Sequence, residues 1–115
     1  MKLTRLLAFS FTCLYASGAS ATFANGDDLY EWSQGYERVQ ARKYEDTDFQ
    51  LSARFQAYVA AIIDADMNRT ICIPSNARLN GPLDVISRFY KNNPPSRPRP
   101  AAEMIRAVLS SEYKC

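Results

Sequence analysis

The chain has no histidine among its 115 residues. That removes Ser-His-Asp and Cys-His nucleophilic sites, and most zinc sites, from consideration. Cysteine is scarce, with three residues at positions 13, 72 and 115. No segment alternates apolar and polar residues over strand length, and no internal repeat is present. No apolar run reaches the ~20 residues that a membrane-spanning helix needs. No basic run or aromatic platform points to nucleic acid. These absences leave no catalytic role, metal or cofactor expected.

The N-terminus carries the one strong targeting signal. Lys2 and Arg5 form a positive n-region, and Leu6 to Ala16 is an uncharged apolar run of 11 residues. Ala19-Ser20-Ala21 supplies small residues for a peptidase. This pattern reads as a secretory signal peptide over residues 1–21, with cleavage after Ala21 and Ala24 as the second choice. Cys13 falls inside the apolar run. Thr12 and Ser10 make poor lipobox neighbours, so lipidation of Cys13 is not expected. The mature domain, residues 22–115, is then expected to be exported without membrane insertion. It holds two cysteines, Cys72 and Cys115, and an even pair in a small exported domain argues for a disulfide. Closing so long a loop adds roughly 4 kcal/mol in the chain-entropy treatment.

The charges are segregated along the chain. Asp27 to Asp66 holds nine acidic and four basic residues, a net of −5, and Met67 to Cys115 holds three acidic and eight basic, a net of +5. The two halves either attract each other within the fold or form a bipolar surface that orients a charged partner.

Apolar periodicity predicts four helices. The first spans Asp27 to Lys43, with Leu29, Trp32, Tyr36 and Val39 on one stripe. The second spans Asp48 to Asp66, with Leu51, Phe55, Tyr58, Val59, Ile62 and Ile63 on a broad face. Thr47 and Gln50 resemble a capping box for it. The third spans Pro82 to Asn92, with Gly81 as cap and Pro82 as its first residue. The fourth spans Ala101 to Glu112. Between the last two, PPSRPRP (Pro94 to Pro100) reads as a stiff, extended, exposed elbow. Pro95, Ser96, Arg97 and Arg99 in this elbow are the candidate partner-binding residues, the arginines anchoring to an acidic rim. The bland alternative makes the elbow a helix connector only.

Other motifs are weak. Asp64 to Asn68 opens like a calcium loop, but Arg69 stands where glycine is needed and Ser75 where glutamate is needed. Ser111 and Lys114 have the spacing of penicillin-binding enzymes without the companion motifs. Asn68-Arg69-Thr70 is a glycosylation acceptor only in a eukaryotic secretory route. Trp32, Phe55 and Tyr58 could serve an apolar-ligand carrier, but helical stripes make them core residues first.

One ordered set of motifs carries a family resemblance. Asn25 to Trp32 (NGDDLYEW), Ala57 to Ala65 (AYVAAIIDA), Cys72-Ile73-Pro74, Arg88 to Pro94 (RFYKNNP) and Tyr113-Lys114-Cys115 occur in sequence. Together they resemble the Rap/Tai-type immunity proteins, which protect bacteria from cell-wall amidases delivered by type VI secretion. The resemblance implies a helical periplasmic protein, often dimeric, that binds an amidase effector and blocks its active site. Many relatives carry a further cysteine pair between the first two helices; Ser33 and Phe55 occupy the matching positions here. A periplasmic acid-stress chaperone with one disulfide is the competing expectation.

Overall fold

The computed structural model describes residues 23–115. The leader, Cys13 and the Ala19–Ala21 motif lie outside the described residues. Four α-helices follow one another: α1 (Gly26–Gln40), α2 (Asp46–Asp66), α3 (Asn80–Asn92) and α4 (Ala101–Glu112). A short 3-10 turn, Pro94–Ser96, precedes α4. Among the described residues there is no strand, and no helix is long and apolar enough to cross a membrane. The domain is thus all-α, as the periodicity predicts.

Local chemistry sets the helix ends. Asn25 opens α1 with a reciprocal capping box: its carboxamide oxygen accepts from the Asp28 N–H, and its own N–H donates to the Asp28 carboxylate, both at 3.1 Å. The helix stops three residues earlier than the stripe predicts. Arg42 adopts a left-handed conformation (φ 57°), its N–H donates to Val39 O, and the Lys43 N–H reaches back to Arg38 O. This is a Schellman ending with arginine where glycine is usual. The expected Thr47–Gln50 box does not form. α2 begins at Asp46 behind the N-cap Glu45, whose N–H donates to the Asp48 carboxylate at 3.0 Å. α3 begins two residues before Pro82, so Gly81 lies inside the helix rather than capping it. α4 matches its predicted span.

The core gathers one face of every helix. Leu29 and Tyr36 of α1, Phe55, Val59, Ile62 and Ile63 of α2, Leu83, Ile86 and Tyr90 of α3, and Ile105 and Leu109 of α4 are buried together with Ile71. α1 and α2 form the most extensive helix pair. Gly35 permits their close crossing, because a β-carbon there would stand 2.5 Å from Leu51 Cβ. Ser33 and Phe55 are both buried on these two helices. Trp32 and Tyr58 meet edge to face with centroids 6.0 Å apart, and Phe55 is sealed beside Tyr36. Phe55 is core, and Trp32 and Tyr58 are half-buried side chains packed against it.

The second half closes covalently. Cys72 and Cys115 form a disulfide, with Cα atoms 4.9 Å apart. Beside it the Cys72 N–H donates to Tyr113 O at 2.9 Å. The bond ties the loop after α2 to the end of α4. One ion pair joins the acidic half to the basic half among the described residues: Arg106 Nε to Asp66 Oδ2 at 2.8 Å. The same contact engages an acidic residue of the calcium-like segment.

Candidate partner-binding surface

The elbow is not the extended strut the prolines predict. Pro94–Ser96 coils into a 3-10 turn, and the chain then folds back onto the start of α1. Gly26 N–H donates to Arg99 O (3.0 Å), Asp27 N–H to Arg97 O (2.8 Å), and Ala101 N–H to Ala24 O (3.1 Å). The physical reason is a match of surplus groups. The first turn of a helix has N–H donors without intrahelical acceptors. Pro98 and Pro100 lack N–H groups and prevent the elbow from continuing as a helix, which leaves the Arg97 and Arg99 carbonyls free to accept.

The predicted partner-binding residues consequently divide. Arg97 turns inward. Its Nε donates to Tyr90 O (2.9 Å) and its Nη2 to Lys91 O (3.4 Å), at the C-terminal end of α3. Its Cζ lies 3.5 Å from the centroid of the Tyr30 ring. One residue thus closes the end of α3 with its side chain and the start of α1 with its carbonyl. Arg99 points to solvent and pairs loosely with Glu103 at 3.3 Å. Pro95 is exposed and Ser96 is half-buried. The expectation that both arginines are free for a partner is therefore corrected for Arg97, whose guanidinium is already engaged.

The outer face of α3 carries two adjoining depressions that sequence reading missed. One is a polar recess of about 360 Å³ lined by Glu37, Asp84, Ser87, Arg88 and Lys91. The other is a groove of about 210 Å³ lined by Val85, Arg88, Phe89, Asn92, Val108 and Glu112. Arg88 is the ridge between them. The recess is built by reciprocal bonds between α1 and α3. The Tyr36 hydroxyl donates to Asp84 Oδ1 (3.1 Å), and the Ser87 hydroxyl donates to Glu37 Oε1 (2.7 Å). Both donors sit on buried residues. Burial, reinforced by the bond to Asp84, pushes the Tyr36 phenol up to about 12, so it remains a donor at neutral pH. The partners are 48 and 50 residues apart in sequence, and no local motif announces them.

A further exposed feature is the tip between α1 and α2. Tyr44 and Phe49 contact each other edge to face, with centroids 4.5 Å apart, and each is about half exposed. The tip is held from below by Arg38, whose Nε and Nη2 bind both carboxylate oxygens of buried Asp48 at 3.0 and 2.7 Å.

These features define the class: a small, disulfide-closed helical domain with a preformed, mixed-charge surface suited to a protein partner. The family model of Rap1a immunity proteins matches residues 25–115, from the N-cap of α1 to the second bridging cysteine. The chain belongs to that family, so its partner is an effector protein. No curated protein and no solved structure matches the chain.

Proposed function

We propose that this is a periplasmic immunity protein that binds a peptidoglycan amidase delivered by type VI secretion and blocks it without chemistry of its own. The observation that carries the reading is membership of the immunity family over the whole helical domain. The Cys72–Cys115 disulfide supports an oxidising compartment, and the leader-like N-terminus supplies a route to it. Inhibition is steric: a folded face covers the substrate cleft. The elbow contributes exposed Pro95 and Arg99, and Arg97 fixes its position. The depressions on α3 offer a second exposed surface, lined by no residue of the elbow.

Co-expression with periplasm-directed cell-wall amidases of type VI effectors tests this. The full chain is expected to protect cells, and residues 22–115 without the leader are expected to leave them sensitive. Equal protection by the leaderless form would count against a periplasmic mechanism, and no protection by either form would count against the amidase.

A further inference from the structure

The polar recess on α3 has a property that ordinary surface charge lacks. Asp84 and Arg88 stand four residues apart, with the acid nearer the N-terminus, the arrangement in which a helix readily pairs opposite charges. Yet no ion pair joins them, and none joins Glu37 to Arg88 or Lys91. The carboxylates are held elsewhere: Asp84 by the Tyr36 hydroxyl and Glu37 by the Ser87 hydroxyl. Two negative and two positive side chains thus line a single recess of about 360 Å³ with no ion pair among them.

Such a site has two requirements. A carboxylate fixed by a neutral hydroxyl keeps its charge and its remaining lone pairs, so it still seeks a cation. Arg88 and Lys91 still seek an anion. Because the carboxylates are already positioned, docking costs less side-chain entropy than it would at two free acids. The volume is at the low end of the range for ligand sites, about 300–1,000 Å³, and fits a side chain rather than a large cofactor. The adjoining groove places apolar Val85, Phe89 and Val108 directly across Arg88. A polar notch continuous with an apolar strip is the pattern of a protein interface, with a charged anchor beside hydrophobic contact.

We propose that this recess is the specificity element for the effector. It receives a Lys or Arg side chain of the effector against Glu37 and Asp84, while Arg88 and Lys91 pair with a neighbouring Asp or Glu of the same partner. The proposal rests on the effector-binding reading, and it adds which surface is used and what the partner must present there. Two-sign recognition of this kind discriminates strongly, because an effector with either charge reversed meets a like charge.

The experiment is calorimetric titration of the cell-wall amidase against which the full chain protects cells into residues 22–115 and two double variants of them. Glu37→Gln with Asp84→Asn removes both negative charges but keeps acceptors for the two hydroxyls. Arg88→Glu with Lys91→Glu reverses both positive charges at exposed positions that make no internal ion pair. Each double variant is expected to weaken binding at least about tenfold and to flatten its salt dependence. Hydrogen exchange on the unmodified complex is expected to show protection over residues 84–91 and around Glu37. Unchanged affinity in either double variant, or protection confined to other surfaces, overturns the recess while leaving the immunity reading standing. Absence of any binding by the unmodified protein overturns both.

Discussion

Gly26 lies so close to Arg97 that a β-carbon at position 26 would stand 2.6 Å from both the Cα and the carbonyl oxygen of Arg97. It would also stand 2.7 Å from the Tyr90 ring. Backbone atoms cannot swing aside as a side chain can. Gly26→Ala is therefore expected to destabilise the fold by about 2 kcal/mol, in the range for overpacking. In an unobstructed helix the same change stabilises by up to ~1 kcal/mol. The sign of the shift in urea midpoint decides whether the elbow is clamped on α1 in solution.

The two elbow arginines should behave differently. Arg97→Ala removes a cation–π contact with Tyr30 and two bonds to the last turn of α3. A loss of about 1–2 kcal/mol is expected. Arg99→Ala removes only an exposed pair with Glu103 and should stay within about 0.5 kcal/mol. Thermal melts of both variants check this; equal effects would show that Arg97 is not anchored.

Reduction of the Cys72–Cys115 bond opens a loop with a sequence separation of 43. The expected cost is about 4 kcal/mol. For a domain of this size, that lowers the melting temperature by roughly 20 °C. Melting curves with and without reductant, compared with a Cys115→Ser variant, test the value. Coincident curves would place the stability in the helix packing alone.

Acid should weaken the base of the α1–α2 tip. The Asp48 carboxyl is held below the usual carboxylate range, first by the hydrogen bond from Arg38 and then by the Glu45 N–H, with burial opposing. The folded state thus favours the ionised form. Its stabilisation is present above the unfolded value of about 3.9 and is lost as pH falls through the lower folded value. Asp48→Asn should be less stable than the parent at pH 7, and the two should converge below about pH 4. Urea midpoints measured across that range report the convergence; a constant gap would show that the carboxylate's charge is not the source.

The described fold also bears on where a leader can be cut. Ala24 is buried and its carbonyl accepts the Ala101 N–H at 3.1 Å. Cutting after Ala24 would discard that bond and place a charged terminus on the α1 N-cap, beside a helix end that already repels positive charge. Cleavage is therefore expected upstream, after Ala21, and the intact mass of exported protein should include residues 22–24.

Much of this architecture was legible in the sequence. Leu29 and Tyr36, or Ile105 and Leu109, recur at helical spacing, and burial then selects that face. The cysteine pair was legible because two thiols in a chain that reads as exported have few other uses. The elbow was not. Its prolines forbid helix and favour extension, but the unpaired N–H groups that draw it back belong to Gly26 and Asp27, some 70 residues earlier. The Asn25–Asp28 box went unread, and Thr47–Gln50 mimicked a box two residues after the true N-cap, Glu45. The recess depended on registering α1 against α3, which a single helix pattern does not specify.

The disulfide has a mechanical side as well. If the domain is pulled between its first helix and residue 115, the covalent bond carries tension from Cys72 straight to Cys115. Helices α3 and α4 then hang as a loop outside the line of force. At about 3.5 Å per residue, the separation of 43 hides roughly 150 Å of contour length. An oxidised molecule should break first where Gly26 and Asp27 are laced to the elbow, and extend only through α1 and α2. Reduction would release the hidden length as one additional step.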